Sequence, residues 1–206
     1  MVFLAQGDVE GARTFVREAA ERVDVTELVA LFAVNWDLYW VLDDDMQELM
    51  FRLGPEQFLR YGYFRSLAFA HTRHLRGEWD QMRADAEIAR AEFAHELESL
   101  PDEPHLHIFL GCALAYLDRG EEAVAYGRRG LELTPDDWFD KPYYQLQLIR
   151  IYLILGQPEP ALDLLEPLLE MPGYLSPGWL SIDPLFDPLR DNPRFQALLE
   201  KYDVER

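Results

Sequence analysis

Apolar positions recur at helical spacing along the chain, and the stripes they form are separated by short breaks rich in Gly, Asp and Pro. Ala12, Phe15, Val16, Ala19 and Val23 make the first stripe, after a turn at Gly7-Asp8 and a close-packing point at Gly11-Ala12. The run LVALFAVNWDLYWVL is apolar nearly all round and predicts a buried helix with Thr26 as its N-cap. Asp43-Asp44-Asp45 interrupts it, at a position suited to capping the helix MQELMFRL. Gly54-Pro55 marks a boundary. A helical pair follows, EQFLRYGYFRSLAFAHTRHLR and a long segment from Trp79 to about Leu97, joined at Gly77-Glu78. After the punctuated link SLPDEP come two further pairs, and Pro167 predicts a kink in the last helix of the second. The C-terminal stretch loses the period. There Asp191 or Asn192 caps, Pro193 sits in the first turn, and RFQALLEKY reads as a short amphipathic helix. The pattern predicts an all-α protein.

Two of these pairs carry a recognisable repeat. Within LGCALAYLDRGEEAVAYGRRGLELTP, the residues Leu110-Gly111, Leu114, Ala123, Gly130 and Pro135 are spaced like the small, large and terminating positions of a tetratricopeptide (TPR) repeat, and the segment resembles that family. Leu148, Tyr152, Gly156, Ala161, Leu165 and Leu168 answer to the same pattern in the next copy. Ala123 and Ala161 are 38 residues apart, against a usual period of about 34. Met82 lies 70 residues after Ala12, two periods of 35, which implies a degenerate copy between them. The resemblance implies a TPR-like helical-hairpin solenoid of about five helix pairs, the first partial, with a C-terminal capping helix. Its expected parts are a partial repeat at 1–24, a degenerate repeat at 25–55, an extended one at 56–103, repeats at 104–140 and 141–175, and a cap at 176–206, all in one domain. Gly127 departs from the family, which fills that helix interface with a large side chain. The string resembles the C-terminal TPR regions of bacterial multidomain regulators. A start so near a repeat's midpoint is what a fragment of a longer protein would present.

Charge narrows the partners. Against 19 basic residues stand 38 acidic ones, for a formal net charge of -19. Such a surface repels phosphate backbones and anionic lipid, so neither nucleic acid nor a membrane is an expected partner. Cys112 is the only cysteine, the N-terminal MVFLAQGDVEG is not a secretory signal, and no apolar run is long enough to span a bilayer. The expected setting is cytoplasmic.

In the family the first helix of each pair lines a concave groove that selects a protein partner. The resemblance therefore puts Trp36, Tyr39, Phe64, His71, His74, Cys112, Tyr116, Tyr143 and Arg150 on that face. A core would present the same aromatic stripe. Chaperone-tail clamps need Lys, Arg and Asn there; among the corresponding positions only Arg150 could grip a carboxylate, and the chain has two lysines, Lys141 and Lys201. His71, His74, His105, His107 and Cys112 permit a metal or a Cys-His pair to be imagined. Their spacing matches no zinc pattern, and no Gly-rich phosphate loop or HExxH motif is present, so neither metal nor cofactor is expected. The reading is a non-enzymatic scaffold binding a peptide or helix. The alternatives are an oligomerising or self-occluding module, including a homodimer, and a small-ligand or metal-dependent protein using the His/Cys cluster.

Overall fold

The structure, a computed structural model, describes residues 1–35, 37–136, 140–171 and 175–203, apart from the side chains of 59–61. It is all-helical, with no strand among the described residues. In chain order the α-helices are α1 (Val2–Ala5), α2 (Val9–Ala20), α3 (Val25–Val34), α4 (Asp44–Met50), α5 (Arg65–Leu75), α6 (Trp79–Ser99), α7 (Pro104–Tyr116), α8 (Gly120–Leu133), α9 (Asp140–Ile154), α10 (Pro158–Leu169), α11 (Pro177–Ile182) and α12 (Pro193–Asp203). Three 3-10 segments, Leu38–Val41, Pro55–Phe64 and Pro184–Leu189, lie between them. No helix among the described residues is long and apolar enough to cross a membrane.

One turn recurs. After α1, α5, α7 and α9 the chain puts a residue in the left-handed region: Gly7 (φ 76°), Gly77 (φ 70°), Asp118 (φ 60°) and Gly156 (φ 66°). At each, the next amide reaches back five residues: Asp8 to the Phe3 carbonyl, Glu78 to Arg73, Arg119 to Leu114 and Gln157 to Tyr152, all at 2.8–3.0 Å. This is the Schellman closure, which satisfies carbonyls a helix end leaves orphaned. Glycine suits the position because it has no Cβ to clash, and aspartate is among the few side chains that tolerate it.

The hairpins α5–α6, α7–α8 and α9–α10 pack in succession, with α6 on α7 and α9 against both α7 and α8. Small residues set the closest approach. A Cβ on Gly111 would come 2.8 Å from the Ala123 carbonyl oxygen, and one on Gly130 would come 2.7 Å from that of Pro104. At Gly127 the space is taken from the neighbouring pair, because Ile151 and Leu148 of α9 reach to 2.7 and 2.9 Å of where a Cβ would stand. The side chain missing from α8 is thus supplied by α9.

The N-terminal third departs from the sequence reading. The run Leu28–Leu42 is not one helix: α3 stops at Val34, Asn35 bonds back to the Leu31 carbonyl, and Asp37 turns left-handed (φ 54°) before the 3-10 turn. Asp24, not Thr26, caps α3, accepting from the Thr26 amide at 2.8 Å. Asp43 caps α4 and Asn192 caps α12. Residues 55–64, expected as the start of a long helix, are 3-10, and α5 begins only at Arg65. Helix α10 continues through Pro167 and ends two residues later.

Two apolar cores result. The larger runs from α5 to α12, and the smaller joins α1–α4 to Phe58. Helix α5 serves both, giving Leu67 and Ala70 to one and Ala68 and Phe69 to the other. Trp179 of α11 is buried in the N-terminal core, and Ser176 Oγ donates to the Ala5 carbonyl at 2.8 Å. The two ends of the chain therefore meet. Because the α7–α8 contact at Gly130 is backbone to backbone, Gly130→Ala should destabilise by about 1–3 kcal/mol despite alanine's better helix propensity. Urea unfolding followed by circular dichroism measures this, and an unchanged or raised midpoint would contradict the packing described.

Candidate functional site

Helices α5, α7 and α9 lie side by side. They direct His71 and His74, Cys112 and Tyr116, and Gln147 and Arg150 toward one another. Opposite them stands not solvent but the segment Asp37–Leu42. Gln47 of α4 holds that segment, with Nε2 donating to the Leu42 carbonyl at 3.0 Å.

Arg150 is the hub. Its Nη1 donates to Tyr39 Oη at 2.6 Å, its Nε to Gln147 Oε1 at 3.1 Å, and its Nη2 meets Asp37 Oδ2 at 3.2 Å. Gln147 Nε2 bonds the same carboxylate oxygen, and Tyr143 Oη approaches it at 3.5 Å. The Asp37 and Arg150 side chains are only 9% and 4% exposed. The Tyr39 ring stacks on His71 at 5.3 Å between centroids, and His71 Nδ1 shares a 2.7 Å hydrogen bond with Tyr116 Oη.

Burial dominates the titration of this cluster. It holds His71 well below the usual imidazole value, with Arg150 and His74 adding to the effect, and it lowers His74, again with Arg150 contributing. It raises the phenols of Tyr39 and Tyr116, and it pushes the Cys112 thiol up to about 12. Around one ion pair, then, every other group is neutral at pH 7.

The expected groove residues divide accordingly. Trp36 lies outside the described residues. Tyr39, His71, Cys112, Tyr116 and Arg150 are together but buried, where an open groove would present them to solvent. Tyr143 joins them through Asp37, and His74 is half-buried beside Tyr116. Phe64 packs its ring on Phe93 and Phe109 and borders a small cavity with Asp37, His71 and Tyr143. The remaining histidines do not converge on Cys112: His105 faces Glu103 and His107 the Pro101 carbonyl, while the thiol approaches the Gln147 carbonyl. No group of three or more His, Cys, Asp or Glu able to hold a metal occurs among the described residues. A thiol raised this far has none of the thiolate character that nucleophilic work needs.

Sequence reasoning missed Asp37, Gln47 and Gln147. A signal for the first was present. Asp37 is a lone charge within LVALFAVNWDLYWVL, and Arg150 a lone charge within LQLIRIYLI. Isolated opposite charges in two buried runs are best satisfied by each other.

No family model, curated protein or solved structure matches the chain.

Removing one partner of a buried pair leaves the other uncompensated, so Asp37→Ala should cost about 3–5 kcal/mol, while Asp37→Leu with Arg150→Met should recover much of it. A double-mutant cycle in urea tests this, and additive losses would show the pair to be uncoupled. The pH dependence follows from His71. Its folded value is depressed, so just below the ordinary 6.5 the unfolded chain binds more protons. Stability should therefore fall as pH drops from about 7.5 to 5.5, and His71→Gln should flatten the fall. Equal urea midpoints for the unmodified chain at those two pH values would rule this out.

Proposed function

We propose that the chain is a protein-interaction scaffold of the TPR-like kind, built from helical hairpins, that binds an apolar segment of a partner protein. The recurring turn supports the architecture. Its last two instances, Asp118 and Gly156, are 38 residues apart, the same step that separates Ala123 from Ala161. Partner recognition cannot use the concave floor as first expected, because Asp37–Leu42 occupies it. The reading moves to the rim.

One observation carries it. Trp79, at the start of α6, is 56% exposed, its ring edge-on to His74 at 5.4 Å, and Leu75, next after His74 at the end of α5, is 37% exposed. Tryptophan is the residue most enriched among interface hot spots, and an exposed aromatic beside an apolar neighbour is a ready anchor. The net charge of -19 favours a partner segment with basic flanks, through faster encounter more than tighter contact.

The test is selection from a random peptide display library, with recovered peptides titrated against the unmodified chain and Trp79→Ala. Recovered peptides should carry apolar residues with basic neighbours. Trp79→Ala should weaken them at least about tenfold, roughly 1.4 kcal/mol, with little change in melting temperature because the ring is mostly in solvent. Peptides indifferent to both Trp79→Ala and Leu75→Ala would overturn the reading.

A further inference from the structure

A pocket of about 300 Å³ opens where α5, α7 and α9 meet the C-terminal tail. That is at the lower end of small-molecule sites, roughly 300–1,000 Å³. Tyr39, Tyr116, Arg150 and His74 supply its polar lining. Leu75 of α5, Leu153 and Ile154 of α9, and Pro184, Leu185 and Pro188 of the tail supply apolar walls, and Asp187 also borders it.

The geometry points to a binding site for a small monocarboxylic acid with an apolar body, a role beyond partner binding at a site that adjoins the rim through His74 and Leu75. The argument is a count of donors. A guanidinium has five N–H groups and no acceptor. Three are engaged, by Gln147, Tyr39 and Asp37, which leaves one on each of Nη1 and Nη2 without a partner among the described residues. Tyr39 Oη accepts from Arg150 and retains its own hydrogen to donate. For Tyr116 the His71 tautomer decides. His71 Nε2 is buried and unpartnered, so placing the proton on Nδ1 leaves a bare lone pair there rather than an orphaned N–H. Nδ1 then donates to Tyr116, and the phenol hydrogen is free for the pocket. The polar lining is rich in donors, so the ligand must bring acceptor oxygens.

Charge limits how many. Asp37 already neutralises Arg150, Asp187 borders the opening, and the whole chain carries -19. A dianion such as phosphate would be repelled. One carboxylate offers two acceptor oxygens for a single charge, and a charge-assisted bond to arginine is among the stronger hydrogen bonds. The leucine, isoleucine and proline walls take a hydrocarbon body.

Isothermal titration of the full chain with 3-phenylpropionate and hexanoate, against 3-phenylpropionamide and hexylamine, tests the assignment. Both acids should bind one to one. The amide, whose NH2 faces donors with more donors, should bind at least about tenfold more weakly, and the amine should not bind. Tyr116→Phe should weaken the acids about tenfold with unchanged circular dichroism, and Leu185→Trp, which fills the pocket from the tail, should abolish binding. Failure of the acids to bind, equal binding of acid and amide, or binding unaltered in both variants would overturn the proposal.

Discussion

The ion pair between Asp37 and Arg150 decides what kind of surface this protein has. Two unit charges taken out of water cost several kcal/mol each after relaxation, and their attraction repays that only with good geometry and further hydrogen bonds. Those are present: Gln147 bonds both members, and Tyr39 takes another of the guanidinium's hydrogens. The pair can be satisfied only with the α3 connection seated against α9. A left-handed Asp37 and the Gln47 amide on the segment's carbonyls fit it for that position. Replacing a buried ion pair by well-packed hydrocarbon is often neutral or stabilising. What the charges add is register, since an Asp and an Arg each buried alone would be intolerable anywhere else.

The seated segment changes the logic of the fold. A stack of hairpins exposes its terminal faces and must cap them. Here the C-terminal tail carries Trp179 into the N-terminal core and bonds the Ala5 carbonyl of α1 through Ser176. The tail in turn has its own fastening, because Arg190 donates to the carbonyls of Leu180 and Asp183. Packing joins the inner cluster to both ends of the chain, through α5, which belongs to both cores, and through the tail segment Pro184–Leu189 on α9.

The regular half of this architecture was legible from residues 65 onward because its signals are local. Apolar stripes, the positive-φ glycines and the Gly111/Ala123 approach are each set by neighbours within one hairpin, and helical class and the turns at Gly77 and Gly156 followed from them. The candidate site was half legible. The repeat resemblance put His71, His74, Cys112, Tyr116 and Arg150 on one face, and the structure brings them together. It could not say whether that face is wet. The answer lies in Asp37, which is 113 positions from Arg150 in sequence, and a period-based reading has no term for a contact so remote. The same limit explains the error at Leu28–Leu42. Hydrophobicity all round predicts a helix buried on every side, but Leu31 stands half exposed and the helix ends at Val34, with Asn35 and Asp37 making the break.

Neutrality inside and charge outside then divide the labour. The exterior holds nearly all of the excess acid, screened beyond about 8 Å at physiological salt. The inner cluster is nearly silent electrostatically, with neutral imidazoles, protonated phenols, an inert thiol and one compensated pair. In such surroundings an uncommitted N–H is worth more than at the surface, because the local dielectric is low. The two spare donors of Arg150 therefore matter more for recognition than its charge, which Asp37 has already spent. An acceptor reaching them from the pocket would add to a network whose other members are fixed before it arrives, so little ordering entropy is lost on binding. That preorganisation would follow from seating Asp37–Leu42 against α5 and α9: the polar groups at the edge of the proposed site are already bonded to one another before a ligand arrives.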